Sequence, residues 1–125
     1  MDIAAFKAQI DAARGFECTA GGITFRLRLP TQHAWRLAIE QNVTADGVVL
    51  RARAMRAVLD AALVGWDGVT PATIMSGADA APLPFSAEAR ALLLEHRQDI
   101  ADELSTQVGI ELLRRRDSLE ETRKN

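Results

Sequence analysis

The residues best suited to chemistry in this sequence are Cys18, His33 and His96, because a thiolate beside an imidazole makes a nucleophilic pair. Their spacing gives that pairing no support. Neither histidine has a second histidine, a cysteine or paired acids at metal-ligand separation, so both read as surface polar residues. Cys18 falls in an expected strand and reads as a small packing residue. Asp99, Asp102 and Glu103 lie within about one helical turn and have the right types for a general acid and base. Such a pair needs an apolar pocket to raise one pKa, and these three read instead as the solvated face of a helix. Gly21-Gly22 lacks the further glycine, the lysine and the following helix of a phosphate loop. Arg114-Arg115-Arg116 is a local basic cluster, but Asp117, Glu120 and Glu121 come after it, and cations at a helix end are favoured by the helix dipole. The expectation is a binding protein and not an enzyme, with no catalytic residue, no cofactor and no metal.

Composition bounds the class of protein. At 125 residues the chain has the size of one domain, expected to span 1–125 with a frayed tail over 117–125. Hydrophobic residues at 48% and charged residues at 26% match a folded globular chain and not a disordered one. Aromatics are only 5%, with no Tyr, so Ala, Leu, Val and Ile must build the core, which suits close-packed helices. Fifteen basic against seventeen acidic residues leave a net charge of -2, which supplies no field to draw the chain onto a polyanion. One cysteine cannot close an internal disulfide, and a reducing cytoplasm is the expected compartment. The opening MDIAAFKAQIDAAR lacks the basic region and apolar run of a signal peptide, and no apolar run approaches the roughly 20 residues that span a bilayer. A soluble protein is expected.

The fold class read from the pattern is α+β and predominantly helical. Ile3, Phe6, Ile10 and Ala13 recur at helical spacing and predict a short first helix ending at Gly15, packed on the chain beyond it. A β-hairpin is predicted over about 16–29: Gly21-Gly22 suits a tight turn, and Ile23, Phe25, Leu27 and Leu29 alternate with Thr24, Arg26 and Arg28. Two strands alone are marginal, so helices must cover their apolar face. Four or so packed helices are expected after the hairpin. Thr31 caps one over Gln32 to about Gln41, carrying Trp35 and Ile39 one turn apart. Val48, Ala52, Met55, Leu59, Ala62 and Trp66 then form the best helical stripe of the chain, with Arg51, Arg53 and Arg56 on its solvated side. A long loop without helical period is expected over about 67–85. Ser86 caps the next helix, Leu92 and Leu93 give its buried side, and a break falls around His96 to Gln98. Ile100, Leu104, Val108 and Leu112 mark a last helix running to about Arg116.

Four local features stand in order: Arg28-Leu29-Pro30-Thr31 leading from strand to helix, Val64-Gly65-Trp66-Asp67-Gly68-Val69 closing a long helix, a polar loop, and Leu83-Pro84-Phe85-Ser86 opening another helix. This order resembles the tail assembly chaperones of long-tailed phages and prophages. In that family a W-x-G-V turn precedes a variable loop and an L-P-F-[ST] helix start with paired leucines, matched here by Leu92 and Leu93. The likeness covers roughly Phe25 to Leu104, and order and spacing carry it. Two departures are the Ala-rich loop from Thr70 to Ala81 and Arg97, which stands where the family more usually has a proline.

The resemblance implies a protein that binds the long helical tape measure protein before the tail tube polymerises, and that helps recruit tail tube protein. It implies the host cytoplasm as the place of action and absence from the mature virion. The last-helix residues Ile100, Leu104, Val108 and Leu112 are the candidate partner surface, with burial in the chain's own core or a self-association interface as the competing fate of that stripe. Trp66 and Phe85 read as structural anchors of the loop between them. Two other classes stay open: a structural tail component such as a connector or completion protein, and a small regulatory or nucleic-acid-binding protein using Arg51, Arg53, Arg56 or Arg114 to Arg116.

Overall fold

The structure, a computed structural model, describes residues 2–124. Its elements in chain order are α1 (Ile3–Ala13), β1 (Gly15–Ala20), β2 (Ile23–Arg28), α2 (Gln32–Glu40), α3 (Arg51–Ala62), β3 (Leu63–Asp67), α4 (Pro71–Ile74), α5 (Ala87–His96) and α6 (Gln98–Lys124). The predominantly helical α+β class holds. One antiparallel sheet, ordered β1-β2-β3, is covered by helices.

The hairpin forms because Gly21 and Gly22 both take positive φ, 57° and 76°, the conformation of a two-residue turn that matches strand twist. Ala20 then pairs with Ile23, and the register runs back to Gly15 opposite Arg28. Alternation sends Ile23, Phe25 and Leu27 inward, where Phe25 and Leu27 are fully buried, while Thr24, Arg26 and Arg28 stay half-buried on the outer face. The inner face carries α3 and α6, with α5 packed against both. Ile100, Leu104 and Val108 complete this core together with Leu59, Leu93 and Leu94.

The third strand corrects the sequence reading. The segment expected to close a long helix is extended: α3 stops at Ala62 and β3 begins at the next residue, antiparallel to β2. Trp66 pairs with Phe25 and Gly65 with Arg26, yet Leu27 faces Leu63, so Val64 bulges out without an opposite residue. The bulge resets the two-residue alternation and lets Leu63 and Trp66 share the core face although they are three apart. A Cβ at Gly65 would lie 2.7 Å from the Nε of Arg26, so a larger residue there would shift the guanidinium that reaches Asp67 at 2.7 Å.

Three further boundaries differ from expectation. The loop over 67–85 contains α4, a single turn started by Thr70 and Pro71 and closed by a Thr70–Thr73 capping box. Val48 lies outside α3 and is exposed. The last helix runs past Arg116, so the tail expected to fray is helical through Lys124, and Asn125 lies outside the described residues.

The first helix also departs from its expected packing. Asp2 caps it by accepting from the Ala5 amide, but no residue of α1 is buried, and Ile3, Phe6 and Ile10 are 83%, 49% and 43% exposed. Its junction with β1 is firmly held. Arg14 and Leu29 exchange a backbone bond of 2.8 Å and a guanidinium–carbonyl bond of 2.8 Å, and Arg115 donates to the carbonyls of Ala13 and Gly15.

Candidate binding groove

The sequence-nominated partner residues divide on the structure. Ile100, Leu104 and Val108 are at most 1% exposed and belong to the core, so they offer no surface; Leu112 is half-buried. Of the two fates open to the stripe, contact surface or core, Ile100, Leu104 and Val108 take the core. The reason is the seat of α6 on β1, which turns that stripe inward. The neighbouring face of α6 is the open one.

That face lines a trough of about 1290 Å³ between α6 on one side and α2 and α3 on the other. Trp35 and Ile39 of α2 and Ala52 and Met55 of α3 form one wall, and Ala101, Ser105, Gly109, Leu112 and Leu113 of α6 form the other. The α6 wall is low because its residues are small at four-residue spacing, one above the next along the helix. Ser105 donates its hydroxyl to the Ala101 carbonyl at 2.9 Å, which satisfies the polar group inside the helix and leaves the wall apolar. Nothing stands within 4 Å of where a Gly109 Cβ would be. Ile110 and Leu113 reach half into solvent at one end. Arg51 and Arg56 of α3 and Gln98, Asp102 and Thr106 of α6 also line the trough. Small-molecule sites occupy roughly 300–1,000 Å³ and enclose the ligand. This trough is larger and open, and its lining is mostly apolar.

The loop anchors meet. The Trp66 ring stands edge-on to Phe85 with centroids 4.9 Å apart and edge-on to Phe25 at 6.5 Å. Its Nε1–H donates to the Leu83 carbonyl at 2.9 Å, and the Leu83 amide donates to the Val69 carbonyl at 2.9 Å, which ties the two ends of the loop together. Arg90 sits over the Phe85 ring at 5.9 Å. Arg97 donates to the Thr73 carbonyl at 2.7 Å, so this residue holds α4 against the start of α6.

The polar candidates sit apart from the groove floor. Burial, with Glu103 adding to it, pushes the Cys18 thiol up and keeps it protonated, which makes it a poor nucleophile. His33 and His96 are exposed. Asp99 is held down to about 2, chiefly by its hydrogen bond from Arg97. Among the described residues, no three His, Cys, Asp or Glu side chains are placed to share a metal ion. Glu111 is the one buried charged residue described, accepting from Arg114 at 2.6 Å and Arg115 at 3.0 Å, and the Arg114 bond leads in lowering its pKa. No described helix is long and apolar enough to cross a membrane.

The groove escaped the sequence reading because it exists only where three helices meet. Its one local signal is the Ala101, Ser105, Gly109 spacing on α6. Comparison with family models, with curated proteins and with solved structures returned no match.

Proposed function

We propose that this protein is a tail assembly chaperone of a long-tailed phage or prophage, which holds helices of the tape measure protein in the α2–α3–α6 groove and keeps their apolar faces from aggregating. The observation that carries the reading is the groove itself: an apolar trough of about 1290 Å³ with a low wall at Ala101, Ser105 and Gly109 suits one amphipathic helix. The order of the two motifs around Trp66 and Phe85 supports the family, and the contact between those rings gives the order a physical purpose. On this reading the tail tube protein is recruited through the bound tape measure protein. The chaperone works in the host cytoplasm and is left out of the finished virion.

The nucleic-acid alternative loses support from the arginines. Arg56 is matched by Asp60, and Arg114 and Arg115 by Glu111, so much of the basic character is neutralised on its own helices. The test of the main reading is co-expression with the tape measure protein encoded in the same gene neighbourhood. The expected result is a soluble tape measure protein that co-purifies with this chain. An insoluble tape measure protein beside a folded chain would overturn it, and recovery of this chain in purified virions would favour a structural tail component instead.

A further inference from the structure

We infer that the groove takes a helix of the tape measure protein about four turns long whose two flanks carry opposite charge, an acid toward Arg51 and a base toward Asp102, and so holds it in one direction. The inference deepens the chaperone reading and rests on it. The α6 wall runs from Gln98 to Leu113, about 22 Å at 1.5 Å per residue, which matches a helix of about four turns. Of the described residues lining the trough, three are charged: Arg51 and Arg56 of α3 and Asp102 of α6. Arg56 is already engaged, with Nε on Asp60 at 3.1 Å and Nη2 on the Ala91 carbonyl at 3.3 Å. Arg51 and Asp102 are exposed, and among the described residues neither forms an ion pair. Asp102 accepts from the Gln98 side-chain amide at 2.9 Å, a neutral donor that leaves its charge unmatched. The α3 wall therefore offers an unmatched cation and the α6 wall an unmatched anion.

A helix is about 10 Å across with its side chains, so an occupant seated between α3 and α6 keeps Arg51 from reaching Asp102. Each is then met only by the flank of the occupant that faces it. Apolar contact with Trp35, Met55 and the low wall at Ala101, Ser105 and Gly109 holds a helix in either direction, because turning it end for end leaves the same stripe facing the groove. The flanks respond differently. Reversal exchanges them, so a helix that sets an acid toward Arg51 and a base toward Asp102 in one direction sets like charges together in the other. Burial of the stripe supplies affinity, and the flank charges select sequence and direction.

The test titrates dye-labelled peptides of about four turns, tiling the tape measure protein, against the full chain by fluorescence anisotropy. The peptides that bind are expected to carry an apolar stripe with one acidic and one basic flank. Arg51→Glu and Asp102→Lys are each expected to bind them about fivefold more weakly, since one flank then meets a like charge in either direction. Circular dichroism should be unchanged, because both positions are exposed. The double variant is expected to recover wild-type affinity, because it mirrors the two walls and the helix seats in reverse. Single variants that bind as wild type, a double variant as weak as the singles, binders without oppositely charged flanks, or a whole protein captured with no peptide bound would each overturn the inference. Those results leave the chaperone reading standing where the whole tape measure protein still co-purifies with wild type. A wild type that captures neither the protein nor any peptide overturns both.

Discussion

Helices α1 and α6 carry apolar stripes of similar spacing and opposite fate. Ile100, Leu104 and Val108 are sealed in the core, while Ile3, Phe6 and Ile10 face solvent. Periodicity shows that a helix has a face to cover, and topology decides what covers it. The last helix returns across β1 and is covered by the sheet; the first is turned away at Arg14.

Truncation should separate the two stripes most sharply. Leu104→Ala removes a fully buried side chain and is expected to cost about 2–5 kcal/mol in denaturant unfolding, whereas Ile3→Ala should stay within about 0.5 kcal/mol. Equal losses would mean that α1 is packed in solution. Next in size is Trp66→Phe, which keeps a ring but leaves the Leu83 carbonyl without its donor, at an expected cost of about 1–3 kcal/mol and with faster amide exchange over the loop ends. Gly109→Ala runs the other way. Its Cβ meets nothing, so the variant should be more stable by about 0.5–1 kcal/mol from helix propensity alone.

The smallest expected effect is the response to acid. Asp99 and Glu111 both have pKa values below their ordinary 3.8 and 4.5. A depressed carboxylate contributes stability that is present above its unfolded pKa and lost as pH falls through its folded one. Stability should therefore decline as pH drops below about 4.5, with the Asp99 share going between 3.8 and about 2. Glu111→Gln should flatten that decline and loosen the Arg115 hold on the α1 junction, read as lost amide protection at Leu29.

Features governed by neighbours in sequence were legible. The hairpin arises from two glycines and a two-residue alternation, and the α5 start from Ser86 accepting the Ala89 amide at 3.0 Å. Strand β3 was hidden because the bulge at Val64 sets Leu63 and Trp66 three residues apart on one face, a spacing that continues the helical series through Leu59 and Ala62. The end of α6 was hidden because its last turns carry no apolar stripe and begin with ion pairs from Glu111. Of the stripe nominated on α6, Ile100, Leu104 and Val108 went to the core, and the residues lining the trough lie on the neighbouring face. Large apolar residues marked the core, and the small ones beside them, with Trp35 and Met55 from distant segments, made the groove.

The most direct test of the proposed binding of a helix in the groove is co-purification of the tape measure protein with Gly109→Leu, beside Gly109→Ala, at matched thermal stability. A leucine projects into the trough where alanine leaves it open. The account predicts that Gly109→Ala retains the tape measure protein and Gly109→Leu loses it while remaining folded. Equal retention by both would contradict binding in the groove.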